Sequence, residues 1–113
     1  MIVTGGLEDA ATALSARWTN GEGGTDNTAP ALTQTDLIAG VVATNTTLNN
    51  TVSTTSFQTS LFVPSTVGVG NNYKEWVVKT IGGTLISRGV TAGTNHTATD
   101  EITKLTTFNV LNR

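Results

Sequence analysis

The chain has no cysteine, two prolines, one methionine and one histidine in 113 residues, and only 12% of its residues are charged. Without cysteine, neither disulfides nor thiolate metal sites can hold the fold. His96 lies in a Thr- and Asn-rich stretch without carboxylates at ligand spacing, so we expect an exposed side chain rather than a metal ligand or a general base. Since no catalytic triad can be assembled, we expect a protein that is not an enzyme and needs no cofactor or metal.

The charges that are present are scattered along the chain, and the formal net charge is -2. We therefore expect no binding of nucleic acid or of an anionic membrane. Glu22, Asp26 and Asp36 could bind a cation in a loop, but they do not have the spacing of an EF-hand. The chain has no long apolar run and no basic segment followed by an apolar one near Met1, so we expect neither a transmembrane span nor a cleaved secretory signal.

What is abundant is threonine, at about one residue in five, together with Asn and Gly. Threonine favours strands, whereas Asn and Gly favour turns. The length favours one domain, residues 1–113, with a modest core. The composition predicts an all-β fold, and we expect a small antiparallel β-sandwich with one short N-terminal helix.

The helix is predicted at Leu7–Ala16, where apolar residues recur at helical spacing, and the Gly-rich segment Trp18–Pro30 is predicted to be a loop. Strands are expected from about residue 35 to residue 111. The first segment is Thr35–Val42, which is extended or holds a short turn near Asp36. The second is Thr44–Thr55, a solvent-facing polar strand or meander, with low-complexity disorder as the alternative. The others are Ser56–Val63, the hairpin Glu75–Arg88 and a closing strand at Ile102–Leu111, with Thr91–Thr99 as a polar loop. Alternation places Phe57 and Leu61 on one face of their strand and Phe62 on the other.

The hairpin Glu75–Arg88 is the clearest local signal. Gly82–Gly83 can adopt the positive φ angles of a two-residue turn. With that turn, Trp76, Val78 and Leu85 share one face, and Val77, Ile81, Ile86 and Val90 share the other. Both faces are apolar, so one is expected to face the core and the other a helix, a loop or another subunit.

The same hairpin resembles the motif E-x-G-L-F-x-x-x-G-T-L-x-x-R of tail-collar and tail-fibre-type structural proteins of tailed viruses. Glu75, Gly83, Thr84, Leu85 and Arg88 match in register, whereas Val77 and Lys79 depart from it. The order of the segments is also similar to that family: an N-terminal helix, then the loop Gly21–Thr25, a segment with Pro30 and the element Thr35-Asp36-Leu37. The resemblance implies a β-sandwich-like virion domain that assembles as a symmetric oligomer and has no catalytic role.

On this basis we expect a virion structural protein, a tail, collar or fibre-attachment subunit that is assembled in the host cytoplasm. Its partners would be copies of itself, in a trimer or a ring, and other virion proteins, with no small-molecule substrate. A capsid decoration or turret protein is the nearest alternative. A carbohydrate-binding module is another, with Trp18, Trp76 and Tyr73 as stacking platform. The residues expected in the core or at a subunit interface are Trp18, Phe57, Phe62, Trp76, Val77, Val78, Gly82, Gly83, Leu85, Ile86 and Phe108.

Overall fold

The computed structural model describes residues 1–36, 40–53 and 55–110. They form one helix, α1 (Thr4–Arg17), and the strands β1 (Asn20–Gly24), β2 (Gly40–Thr47), β3 (Asn49–Ser53), β4 (Ser56–Val63), β5 (Asn72–Lys79), β6 (Leu85–Asn95) and β7 (Ile102–Asn109). The predicted all-β fold with one short N-terminal helix is confirmed. Leu37, Thr54 and Leu111, which belong to segments predicted to be extended, lie outside the described residues.

The strands form two antiparallel sheets. Sheet A has the order β2-β1-β5-β6, and sheet B has the order β3-β4-β7. The chain passes from β2 in sheet A to β3 in sheet B at the buried residue Leu48. A cluster of buried side chains from both sheets forms the core, and its members are Leu48, Leu61, Val63, Tyr73, Trp76 and Val78.

Strand β1 corrects the prediction of a loop at Trp18–Pro30, because it pairs with both β2 and β5 in the middle of sheet A. Its glycines leave space for large side chains of neighbouring strands. A Cβ atom at Gly21 would lie 2.7 Å from the Leu48 side chain, and one at Gly23 would lie 2.9 Å from the Trp76 ring. The glycines that made this segment look like a loop are therefore what allows the core to pack over it.

The hairpin of β5 and β6 has the predicted register along most of its length. Val78 pairs with Ser87 and Val77 with Arg88, as a two-residue Gly82–Gly83 turn requires. The turn itself is different: a bulge follows, so that Lys79 pairs with Leu85, and Gly83 alone of the two glycines has a positive φ, of 92°. The loop is thus longer by one residue, as in hairpins with a left-handed residue at the end of the loop.

The bulge also moves Leu85 out of the predicted core face. Leu85 pairs with Lys79 and is half-buried in a groove beside Pro30 and Leu32. Trp76 and Val78 remain in the core, at 6% and 5% exposure, as the alternation predicts. The polar loop predicted at Thr91–Thr99 is wrong in its first half, since β6 continues to Asn95.

Helix α1 is longer than predicted, because it begins at Thr4 and includes both Gly5 and Gly6. Its C-terminal end lies against sheet B. The Asn50 side chain donates hydrogen bonds to the carbonyl oxygens of Ser15, at 2.7 Å, and Trp18, at 3.0 Å. The Trp18 ring then packs against those of Phe57 and Phe108, with centroids 5.6 and 5.1 Å away. The helix therefore covers one end of the inner face of sheet B.

Candidate functional site

The face of sheet A that points away from the core carries a buried ion pair. Trp76 and Val78 face the core, so Glu75 and Val77 face the other way, and Arg88 lies opposite Val77. The Arg88 Nε donates to a Glu75 carboxylate oxygen at 2.8 Å, with side chains only 2% and 0% exposed. The loop after β1 covers this pair, because its Thr28 carbonyl accepts a second bond from the guanidinium at 2.6 Å.

A second cation on the same face joins two carboxylates. The Lys79 ammonium donates to Glu22 on β1 at 2.6 Å and to Asp36 in the covering loop at 2.8 Å. Burial works against the charged form of Lys79, but the hydrogen bonds to Asp36 and Glu22 and their negative charge outweigh it and raise the pKa of the ammonium. Lys79 therefore connects the central strand to the end of the covering loop.

The start of the covering loop is fixed by Asp26. Its carboxylate accepts a hydrogen bond from the Thr28 amide at 2.7 Å and lies 3.5 Å from the Arg88 guanidinium. The hydrogen bonds from Thr28, and more weakly the charge of Arg88, lower the pKa of Asp26. Glu22, Asp26 and Asp36, weighed above as cation ligands, thus contact cationic side chains of the chain itself. In residues 1–36, 40–53 and 55–110, no group of three or more His, Cys, Asp or Glu side chains could hold a metal ion.

His96 corrects the prediction of an exposed side chain, since it is only 2% exposed. Its Nε2 lies 3.1 Å from the Asp100 carbonyl oxygen, and its ring packs beside that of Tyr73 at a centroid distance of 5.8 Å. The Asp100 carboxylate itself accepts from Thr97 rather than from the imidazole. The histidine therefore fixes the β6–β7 connection against the core and forms no carboxylate-oriented catalytic pair.

Trp18, Trp76 and Tyr73, the aromatic side chains that could stack on a sugar, pack against other rings of the fold. Tyr73 and Trp76 pack against each other at a centroid distance of 5.1 Å and are 0% and 6% exposed. Trp18 is half-buried between Phe57 and Phe108. None of these rings offers the open, flat face on which a sugar ring stacks.

Two large apolar side chains are exposed next to each other on the outer face of sheet B. Phe62 on β4 is 43% exposed and Leu105 on β7 is 51% exposed. Phe62 pairs with Thr103 and Leu105 pairs with Ser60, so the two apolar side chains are diagonal neighbours on one face. We call this pair and the polar side chains around it the Phe62–Leu105 face.

The predicted interface residues are thus distributed over several parts of the molecule. Trp18, Phe57 and Phe108 form the inner aromatic cluster, and Trp76 and Val78 belong to the core. Val77 is 3% exposed on the other face of β5, Ile86 is half-buried beside Leu85, and Gly82 and Gly83 form the turn. Of the predicted set, Phe62 alone has an exposed large side chain. Leu105 is not among the predicted interface residues, although alternation along β7 relative to Phe108 predicts that it faces outward.

The chain matches no protein-family model, no curated protein and no solved structure. The resemblance to tail-collar and tail-fibre-type proteins therefore stays a prediction. The first and last positions of its motif are Glu75 and Arg88, and these two residues form the buried ion pair. Within the described part of the chain, no helix has the length and apolar character needed to cross a membrane.

Proposed function

We propose that the chain is a non-catalytic structural subunit of a virus particle, at a tail, collar or fibre-attachment site, which works by packing against copies of itself. The observation that carries this proposal is the Phe62–Leu105 face. An aromatic ring and a leucine lie side by side on the outside of a regular sheet, where exposed neighbouring apolar groups are typical of protein contact surfaces.

The buried charges support the same proposal. Lys79 and Arg88 each contact carboxylates of this chain, and their contacts hold a loop onto sheet A. Groups with internal partners of this kind stabilise a fold and are poorly placed to act on a substrate. The motif Glu75–Arg88 supports the viral assignment, and assembly in the host cytoplasm followed by residence in the virion is part of the proposal.

A capsid decoration or turret protein would need the same contact face, so it remains the alternative within structural proteins. The carbohydrate-binding alternative loses its main support, because Tyr73 and Trp76 are covered and Trp18 is half-buried against two other rings.

The position and copy number of the protein in purified particles test the proposal. We expect electron microscopy of labelled particles to find it in a ring or a symmetric cluster at the tail. Particles assembled with the double variant Phe62→Thr/Leu105→Thr should lack it, whereas the variant Ile81→Thr, at a 75% exposed site on the hairpin loop, should be incorporated normally. Regular sites over the capsid surface would favour the decoration alternative, and absence from particles would refute both.

A further inference from the structure

The space between the two sheets is open on one side of the molecule. Strand β6 forms one edge of sheet A and β7 forms one edge of sheet B, and a cleft of about 310 Å³ lies between them. Its apolar walls include Leu61, Trp76 and Val78, which belong to the core. This volume is at the lower end of the range for small-molecule sites, about 300–1,000 Å³. We call it the inter-sheet cleft.

Of the described residues that line the inter-sheet cleft, one is charged, namely Lys104. It lies on the inward face of β7, with Ile102 and Phe108, whereas Thr103 and Leu105 face outward. No Asp or Glu lines the cleft, and Lys104 has no ion pair or hydrogen bond among the described residues. Lys104 is a half-buried residue beside apolar walls, and its charge is without a counter-charge in the part of the chain that the structure describes.

We propose that the inter-sheet cleft binds a small carboxylate with an apolar body, such as a medium-chain fatty acid. The carboxylate pairs with the Lys104 ammonium, and the hydrocarbon part lies against Leu61, Trp76 and Val78. One ammonium matches the single charge of a carboxylate better than the two charges of a phosphate monoester. Leu105 lines both the cleft and the Phe62–Leu105 face. This proposal does not rest on the structural role proposed above, because it depends on Lys104 and on the core side chains of the cleft rather than on the exposed Phe62–Leu105 pair.

The chain offers a substitution that closes the cleft without disturbing its walls. Gly89 lines the cleft and pairs with Trp76, so a side chain at this position points to the same face as the Trp76 ring. A Cβ atom at Gly89 would have no heavy atom within 4 Å, and Gly89 has no positive φ. The variant Gly89→Val should therefore fold and fill the cleft. Ser87→Val, on the same strand and also lining the cleft, is a second closing variant.

Isothermal titration with decanoate and with the uncharged decanol tests the proposal. We expect wild type to bind both ligands saturably, and Lys104→Gln to weaken decanoate binding by about tenfold while changing decanol binding by less than about twofold. Gly89→Val and Ser87→Val should lose binding of both ligands while keeping a cooperative thermal transition. Lys74→Gln removes the same charge from a residue outside the cleft and should bind like wild type.

Three results would overturn the proposal. They are no saturable binding by wild type below the micelle concentration of decanoate, binding that survives in both closing variants, and equal losses in Lys104→Gln and Lys74→Gln. An inward lysine on an edge strand can also serve to prevent edge-to-edge pairing. If that were its only role, Lys104→Gln would raise the molar mass of the protein and leave the affinity for decanoate unchanged.

Discussion

Lys79 holds two carboxylates at once, since its ammonium lies 2.6 Å from Glu22 and 2.8 Å from Asp36. These contacts raise the pKa of Lys79 above its ordinary value of 10.5, even though burial alone would lower it. A raised pKa in the folded chain means that the contribution of Lys79 to stability is complete below pH 10.5 and is lost as pH rises through the folded value.

We therefore predict that the free energy of unfolding falls more steeply with pH in wild type than in Lys79→Met, between about pH 9 and pH 12. Urea denaturation at a series of pH values measures both slopes. Burial also raises the pKa of Tyr73, which acts in the same direction, but both proteins keep Tyr73 and the difference isolates Lys79. Parallel curves would show that the Lys79 contacts do not stabilise the fold.

A second prediction concerns the Glu75–Arg88 pair, in which both side chains are almost fully buried. Arg88→Met leaves a buried carboxylate without its main counter-charge, and we expect it to lower the free energy of unfolding by about 3–5 kcal/mol. The double variant Glu75→Leu/Arg88→Met removes both charges. Its free energy of unfolding should therefore fall by less than that of Arg88→Met alone.

Chemical denaturation of the two single variants and the double variant measures this coupling. Arg17→Met is the control, because Arg17 is exposed at the end of α1 and its replacement should change stability by less than about 0.5 kcal/mol. The ion pair would be contradicted if the losses of unfolding free energy in Glu75→Leu and Arg88→Met added up to the loss in the double variant.

Among the elements, the β5–β6 loop gives the sharpest prediction. Gly83 has a φ of 92°, and a β-branched residue there should destabilise the fold by about 1–2 kcal/mol. Gly82 is its neighbour and matched control, because its φ is not positive and a Cβ would meet only the Thr80 hydroxyl at 3.8 Å. In thermal melts, Gly83→Val should therefore have a clearly lower melting temperature than Gly82→Val. The reverse order would mean that the turn is different.

Elements with side-chain alternation could be predicted from the sequence. The faces of Phe57, Leu61 and Phe62 on β4 agree with the structure, and so does the β5–β6 register from Glu75 to Val78. Alternation predicts these faces correctly because the positions of large apolar side chains indicate which face of a strand is buried. The loop Ile81–Gly83 was misjudged by one residue because a Gly-Gly pair is compatible with several turn types.

The elements that were missed depend on contacts far apart in the chain. Strand β1 has almost no apolar side chains, and it is a strand because residues of β5 and the connection at Leu48 pack over Gly21 and Gly23. His96 was predicted to be exposed because its neighbours are polar, yet Tyr73 and the Asp100 backbone enclose it. The ion pairs likewise join residues up to 62 positions apart, which no local pattern can reveal.

At the scale of the whole molecule, the interior is small and partly polar. Among the side chains that the structure describes, the apolar core cluster has six members, while Glu75, Lys79, Arg88 and His96 are buried as well. Buried ion pairs contribute less to stability than well-packed apolar side chains of similar volume. A subunit of this kind gains stability when a neighbour covers exposed apolar groups, so Phe62 and Leu105 are expected to be buried in the assembled state.

The molar mass in solution tests this central claim most directly. By sedimentation equilibrium, we predict that the wild-type protein has an integer multiple of the chain mass of 11.7 kDa, and that Phe62→Thr/Leu105→Thr has 11.7 kDa with an unchanged circular dichroism spectrum. Ile81→Thr is the control and should keep the wild-type mass. A wild-type protein that stays at 11.7 kDa at all accessible concentrations, or a double variant that keeps the wild-type mass, would contradict the account.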